Sequence, residues 1–567
     1  MRTRMIADSK VLILDGHSKA AAESLLALPR TCELHVAAGE PDALVFASRR
    51  PTRKLVQPAT VDAFREWVCA LDGNEHYDLI LCCTEASLLA LKSEALDPAL
   101  RAKMILPGEA ALDIALDKQR TSDLAAALGI RTPRGAIIAK IEDAPVTVAY
   151  PVAVKPLHSK VLVDGHVMAF SVRLCNTPQE RQEAHAAMLP FTPVVEQEYF
   201  RGRGVGVELL FEQGQPRWCF AHERIHELPV TGGASSYRRA IEPPPQLLKA
   251  ATRLLAHLRW HGVAMVEFKV AANGDYRLLE VNPRLWGSLP LPVAAGVNFP
   301  LGLLRLARNE TLGEQPHYRR GLCLRDLGAD LQWFGQAWRL RRDPLLVKPL
   351  QADDFLGLAR PLLGRERWDL FRWREPQMWW RLTRTQLQHV RTFLQRRTVT
   401  RAAAANWRRM REAWRERRLQ RVLVLCYGNI CRSPVVEALL KSATNDIEVI
   451  SAGFHAQPQR ASPSVWSAVV EHVAGVKLDG HRSRVVDEAL IAWADLIIVM
   501  DSANWRMLER THPAAISKAV LLGVAAQDSH HVEIADPYTL DETGMRPIAA
   551  MLRQCVDDLA RQRSEIA

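Results

Sequence analysis

One stretch, residues 421–437 with the sequence RVLVLCYGNICRSPVVE, restricts the fold more than any other part of this chain. Val422 to Leu425 is a short apolar run with alternate β-branching, the pattern of a buried strand. A tight loop follows from Cys426 to Arg432, with five residues between the cysteine and the arginine. Ser433 and Pro434 then open an apolar-periodic segment, residues 435–440, which reads as a helix with Ser433 as its cap and Pro434 in its first turn.

Strand, loop and helix in that order dictate a chemistry. A loop closing on a helix N-terminus turns several backbone N–H groups into one concavity, which suits phosphate or another oxyanion. Cys426 begins the concavity, where amide dipoles and the Arg432 guanidinium favour thiolate over thiol, so it is the candidate nucleophile. Arg432 has the planar fork that matches two phosphate oxygens. Ser433 is placed to hold the sulfur and ease its departure. Gly428 allows close backbone approach, and Asn429 can fix the loop through side-chain hydrogen bonds. An acid for the leaving oxygen is still needed. Asp536, in the run IADPY at 534–538, is the candidate, with Pro537 stiffening its turn and Tyr538 able to wall a pocket.

From residue 421 onward the chain resembles the low-molecular-weight protein tyrosine phosphatase family. Five blocks in order carry the resemblance: CYGNICRSP at 426–434, SAG at 451–453, HRSR at 481–484, Met500-Asp501, and DPY at 536–538. It implies a parallel-sheet α/β domain with Cys426 as nucleophile, Arg432 as phosphate clamp and Asp536 as acid and then base. It also implies that Cys431 can form a reversible disulfide with Cys426 and protect it from over-oxidation. Family members often carry a second aromatic beside the tyrosine; here the position is Thr539, so the expected substrate is a phosphotyrosine protein or a small phosphoester. Arsenate reductases share the fold but need further relay cysteines, and no cysteine lies between Cys431 and Cys555.

The 567 residues leave room for three or more domains. Of ten cysteines only Cys426 and Cys431 stand at a chemically telling spacing, a reducing-compartment pattern rather than a disulfide framework. No signal peptide and no apolar run of membrane-spanning length is visible, so the expectation is a cytoplasmic protein. The net charge of +11 is locally concentrated, and no nucleic-acid partner is expected.

Residues 10 to about 110 alternate strand-like and helix-like pieces, the mark of a parallel α/β layer. Beyond it, Lys118 follows a helical stretch, and a strand at 150–155 ends in Lys155. Residues 194–199 form another strand, bearing Glu196 and Glu198 and ending in Tyr199. Residues 262–270 and 277–282 read as antiparallel strands joined by an Ala-Asn-Gly-Asp turn. Period-two alternation puts Glu280 and Asn282 on one face, and Glu267 on the neighbouring strand can complete an all-oxygen site suited to Mg²⁺ or Mn²⁺ bridging phosphates. Arg284 would reach the same anions.

This region, with the layer in front, resembles the ATP-grasp superfamily in the branch of carboxylate–amine and carbamoyl-phosphate-synthase-like ligases. The run EVNPR at 280–284 followed by WGS at 286–288 is the most specific piece. The resemblance implies ATP as cofactor. Lys118 and Lys155 would hold its phosphates, and Glu196 to Tyr199 would form an inter-lobe hinge offering backbone groups to adenine. Glu267, Glu280 and Asn282 would bind metal, with Arg284 facing the transferred phosphoryl group. The substrates would be an unknown carboxylate and amine, with residues 222–226 and 232–236 near the second of them. Gly204 stands where an acid for the ribose hydroxyls is expected, and the loop after Lys155 holds one glycine, Gly165.

Residues 315–420 interleave tryptophans with arginines. Such a segment could lie on an anionic membrane surface, or pack catalytic domains together with the arginines solvated. The chain thus reads as an α/β multidomain protein. Its parts are a pre-ATP-grasp layer (1–116), an ATP-grasp domain (117–314), an Arg/Trp-rich helical bridge (315–420) and a phosphatase domain (421–567). The expected function is a bifunctional hydrolase and ATP-dependent ligase. The alternatives are a nucleotide-sensing module that regulates the phosphatase, or a membrane-associated envelope or polysaccharide regulator.

Overall fold

The computed structural model describes residues 9–92, 96–143, 149–158, 160–163, 166–170, 172–341, 348–364, 366–526, 532–540 and 542–564. Gly165 lies outside them. The chain divides into two compact units, Met1–Leu387 and Gln388–Ala567.

The first unit opens with β1 (Lys10–Ile13), β2 (Glu33–Ala38), β3 (Arg53–Val56) and β4 (Leu79–Leu81), ordered β3-β2-β1-β4 and all parallel. The strands are short and apolar because helices such as Lys19–Ala27 and Val61–Glu75 cover the sheet, as a parallel sheet requires. A second, antiparallel sheet holds β5 (Gly135–Ile138), β6 (Val152–Pro156), β9 (Arg173–Cys175) and β10 (Val194–Glu198), with β10 between β5 and β6. The hairpin β7 (Lys160–Val163) and β8 (His166–Ala169) follows Lys155.

The third sheet is the largest. It holds β11 (Arg203–Glu212), β12 (Gln215–Leu228), β13 (Ala234–Ile241), β14 (Gly262–Val270), β15 (Tyr276–Asn282), β16 (Cys323–Arg325) and β17 (Arg367–Trp368), in the order β15-β14-β11-β12-β13-β16-β17. One of its faces buries Val205, Val207, Leu209, Val266 and Phe268 against the amphipathic helix Pro245–His257.

The segment expected to be a helical bridge is more than helical. It supplies the edge strands β16 and β17 as well as the helices Leu327–Arg339 and Pro376–Arg415. Its tryptophans divide. Trp333, Trp379, Trp407 and Trp414 are buried, as packing demands, whereas Trp338, Trp373 and Trp380 stand exposed.

The second unit carries one parallel sheet, β18 (Arg421–Cys426), β19 (Glu448–Gly453), β20 (Leu496–Val499) and β21 (Ala519–Leu521), ordered β19-β18-β20-β21. Val422 to Leu425 are fully buried, and helices Arg432–Ala443, Ser464–Ala474 and Glu542–Ser564 enclose that sheet's core. The central strand β18 delivers Cys426 at its C-terminal end, where ligands of open α/β sheets bind.

Candidate functional site

In the second unit, β18 ends at Cys426 and the next helix begins at Arg432, two residues before the start read from the sequence. The cap position falls on Cys431, with no side-chain cap bond, so Ser433 is not the cap. Its hydroxyl instead lies 3.0 Å from Cys426 Sγ. The Asn429 N–H donates to the same sulfur at 3.2 Å.

Asn429 is the hub of the loop. Its φ of 53° lies in the left-handed region, which asparagine tolerates better than most residues. Its Nδ2 donates to Ser433 Oγ (3.0 Å) and Ser451 Oγ (2.8 Å), and its Oδ1 accepts from the Arg484 N–H (2.9 Å). His481 Nε2 donates to its carbonyl at 2.7 Å. Ser451 is held in turn by Glu437, which accepts from its N–H (3.1 Å) and its hydroxyl (2.5 Å). Cys426 pairs with Gly453 along β18 and β19, and a Cβ on Gly453 would come 2.8 Å from the Asn429 nitrogen. Only glycine admits so close an approach.

Arg432 is 2% exposed. Its Nη1 donates to Asp501 Oδ2 (2.5 Å) and the Ile534 carbonyl (2.9 Å), and its Nη2 to Asp536 Oδ2 (2.6 Å). Its buried Nε has no hydrogen-bond partner among the described residues. Burial, with Asp536 and Cys426 beside it, pushes the Cys431 thiol up to about 12. The Cys431 carbonyl accepts from Trp466 Nε1 at 3.0 Å. Tyr427, its ring tilted against His455 at 4.9 Å between centroids, and Tyr538, bonded through its hydroxyl to Arg460 (2.8 Å), are both half exposed at the rim. The sequence reading named no role for Asp501, Ser451 or Glu437. Asp501 stood inside a recognised block, but its contact with Arg432 spans 69 residues.

In the first unit, Glu267 and Glu280 are direct partners across β14 and β15, and Asn282 faces Met265. Asn282 Nδ2 donates to Glu267 Oε1 (3.0 Å) and Glu280 Oε1 (3.3 Å), so the three oxygen-bearing side chains are gathered together. Lys118, behind its cap Asp117, is buried and donates to the Pro156 carbonyl (3.0 Å). Burial lowers the Lys118 and Lys155 ammonium groups, with Glu280 pulling both back up. Burial would raise Glu280, but Lys118, Lys155 and Arg284 outweigh it and hold the carboxyl below its ordinary value. Glu267 is raised, chiefly by burial, although Arg224 Nη2 lies 2.5 Å away. Arg284 Nη2 approaches Glu85 at 3.3 Å.

The hinge is expected to offer backbone groups, and its acidic side chains form ion pairs of their own. Glu196 sits inside β10, between β5 and β6, and its buried carboxylate pairs with Arg181 (2.7 Å) and His185 (3.2 Å) of helix Pro178–Met188. Glu198 pairs with Arg134 at 3.0 Å. The structure therefore does not bring the Glu196 or Glu198 side chains to the lysine–carboxylate cluster. Tyr199 donates through its hydroxyl to the Thr231 carbonyl (2.8 Å). The sequence reading also missed Arg224 as the partner of Glu267, although it marked the surrounding HERIH run.

A family model described as low molecular weight phosphotyrosine protein phosphatase matches residues 421–566. One described as ATP-grasp in the biosynthetic pathway with Ter operon matches residues 191–328. Among curated relatives, the probable low molecular weight protein-tyrosine-phosphatase EpsP of Ralstonia nicotianae is 36% identical over 140 residues, covering 24% of this chain and 92% of that protein. The low molecular weight protein-tyrosine-phosphatase Etp of Escherichia coli is 31% identical over 143 residues, covering 25% of this chain and 94% of its own. Escherichia coli Wzb, of the same description, is 36% identical over 118 residues, covering 21% and 77%. With residues 421–566 built on that pattern, the chain belongs to the low molecular weight phosphotyrosine protein phosphatase family of hydrolases and joins to it an ATP-grasp domain.

Proposed function

We propose that the second unit hydrolyses phosphate monoesters through a cysteinyl-phosphate. One observation carries this reading: the Cys426 sulfur lies within hydrogen-bond reach of both Ser433 Oγ and the Asn429 N–H at the start of a helix. Cys426 thiolate attacks phosphorus in line. The S–P bond forms as the bond to the leaving oxygen breaks, and Asp536 gives that oxygen its proton. Arg432 and the loop amides hold the equatorial oxygens as their charge grows. Asp536 then takes a proton from water, which attacks phosphorus and breaks the S–P bond. Ser433 donates to the departing sulfur, and inorganic phosphate leaves. The half-exposed Tyr427 and Tyr538 are suited to flank an aromatic ester such as phosphotyrosine.

The deciding experiment is phosphate release from an aryl phosphate by wild type and by Cys426→Ser, each with and without Mg-ATP. Activity lost in the variant supports the assignment, and retained activity removes it. A wild-type rate that responds to ATP would favour a sensing role for the first unit over an independent enzyme.

For the first unit we infer an ATP-dependent carboxylate ligase. The donor set fits Mg²⁺ with nucleotide: Glu267, Glu280 and Asn282 gather oxygen ligands on one side, and Lys118, Lys155 and Arg284 bring positive charge to the same carboxylates. Bound ATP would supply the phosphoryl group that activates a carboxylate toward an amine. ADP release that depends on an added carboxylate and amine is the test, and nucleotide binding without such turnover would favour the sensing role. Ten free cysteines agree with a cytoplasmic, reducing setting.

A membrane-surface role has one specific observation in its favour. Trp373 is 88% and Trp380 62% exposed, with the exposed arginines Arg374 and Arg384 beside them in the chain. Among the described residues no helix is long and apolar enough to cross a membrane, so any contact would be peripheral. Failure to co-sediment with anionic vesicles would remove this reading.

A further inference from the structure

The large sheet of the first unit has two unlike faces. The face opposite its apolar core carries Glu208 on β11, His222 and Arg224 on β12, Arg238 on β13 and Glu267 on β14, all buried or nearly so. Charged groups on a buried sheet face are costly unless each is partnered. The register sets Arg238 opposite Arg224, His222 opposite Gly206, and Gly206 opposite Glu267. A Cβ at Gly206 would collide with the His222 ring, so the glycine is what lets that ring lie over the sheet.

Several of these groups are left without hydrogen bonds. Arg238 is fully buried and donates through Nη2 to Asp369 at 2.7 Å, but its Nε and Nη1 have no partner among the described residues. His222 Nδ1 lies 2.9 Å from Glu208 Oε1 but out of line for a hydrogen bond, and neither ring nitrogen is satisfied. Glu208 takes Ser288 Oγ on Oε1 at 3.1 Å, while its Oε2 is unpartnered. Arg224 Nε is unpartnered too. Burial holds Glu208 well above the usual carboxylate range, so Oε2 can carry a proton. Burial, with Arg224 and Arg238 beside it, keeps His222 well below its ordinary value, and a neutral imidazole still has one N–H. The unpartnered atoms are therefore mostly donors: two N–H groups of Arg238, one of Arg224, an imidazole N–H and a carboxylic O–H, against one acceptor, the other imidazole nitrogen.

Donors in excess of acceptors, converging from three adjacent strands, call for an oxyanion. We propose that this face holds a carboxylate or phosphate group of the first unit's second substrate, hydrogen-bonded to an unpartnered N–H of Arg238, Nε or Nη1, beside His222. β13 lies three strand spacings from β14, about 14 Å, and Arg224, opposite Arg238 on the strand between, reaches Glu267 among the carboxylates expected to hold metal. Arg238 then acts as a specificity residue that reads the far end of the substrate. Only the identity of the occupant rests on the ligase reading; the anion site itself does not.

The test uses the full chain with Mg²⁺ and a non-hydrolysable ATP analogue, titrated calorimetrically with acetate and separately with inorganic phosphate. Saturable binding of one of them that Arg238→Met weakens is expected, and which one it is identifies the group; phosphate held at the Cys426 loop does not respond to that variant. Arg238→Met should weaken it at least about tenfold, with analogue affinity unchanged. Arg238→Lys should recover only part of the loss, because a point charge lacks the fork. His222→Asn leaves the Arg238–Asp369 pair intact and should still weaken binding, which guards against misfolding of the arginine variants. No saturation by either anion, or binding indifferent to Arg238→Met and His222→Asn, overturns the proposal and leaves Arg238 as a structural partner of Asp369. If the analogue itself fails to bind, the ligase reading falls, and the same titrations without nucleotide still decide the anion site.

Discussion

Arg432 Nη2 lies 2.6 Å from Asp536 Oδ2, so the group expected to clamp phosphate and the group expected to move the proton hold one another. Removing the Asp536 carboxylate should therefore alter the clamp as well as the acid. Asp536→Asn should slow esters of poor leaving groups by about 100-fold and esters of good leaving groups much less. Rates measured across substituted aryl phosphates check this. An equal loss for every leaving group would count against an acid role and leave Asp536 as a partner of the clamp.

Asn429 combines a left-handed backbone with five hydrogen-bonding neighbours: Cys426, Ser433, Ser451, Arg484 and His481. Asn429→Ala should cost the second unit about 2 kcal/mol of stability, from strain and lost bonds together. It should lower kcat/KM by about 30-fold as the sulfur loses its oriented neighbours. Asn429→Gly relieves the backbone alone. It should regain part of the stability, seen in thermal unfolding, and little of the rate.

Glu280 is held ionised by two lysines that burial makes reluctant to carry charge. Lys155→Met should weaken binding of an ATP analogue by about tenfold or more, as expected when a buried charge partner is lost. Phosphate release at Cys426 should be untouched. Calorimetric titration of the analogue and a parallel aryl phosphatase assay read the two outcomes separately.

Glu23, fully buried on helix Lys19–Ala27, pairs with Arg372 at 2.6 Å, yet burial pushes its carboxyl up to about 7 from an ordinary 4.5. The folded chain thus holds this proton more tightly than the unfolded chain. The stability it contributes is fully present below about pH 4.5 and is lost as pH rises through about 7. The change amounts to roughly 3 kcal/mol. Glu23→Gln cannot ionise. Denaturant midpoints of wild type should fall relative to the variant across that window, and parallel profiles would show that Glu23 does not titrate there.

How much of this was legible beforehand depended on the range of the interactions. The loop from Cys426 to Arg432 is local, and its strand, loop and helix could be read from residue types, apart from two residues at the helix start. Asp501 and Glu437 were silent because each acts through a partner far along the chain, and neither has a periodicity that betrays it. Alternation along β10 shows that Glu196 and Glu198 share a face. It does not tell which face meets helix Pro178–Met188, and that orientation takes the Glu196 carboxylate to Arg181. The edge strands β16 and β17 were hidden for the same reason. Three residues and two residues carry no pattern of their own, and pairing, β16 onto β13 and β17 onto β16, makes them strands.

The contact between Gly453 and Asn429 means that the phosphate loop does not shape itself. The end of β19 is the mould against which it is cast. A fragment that kept every residue from 421 to 440 but lacked β19 would have the sulfur, the guanidinium and the helix, with nothing to force the chain at 429 into its inverted turn. The anion cradle is in that sense a product of sheet assembly, inherited from a strand that contributes no reacting atom. Its appearance during folding should report the pairing of β18 with β19 rather than the formation of the loop.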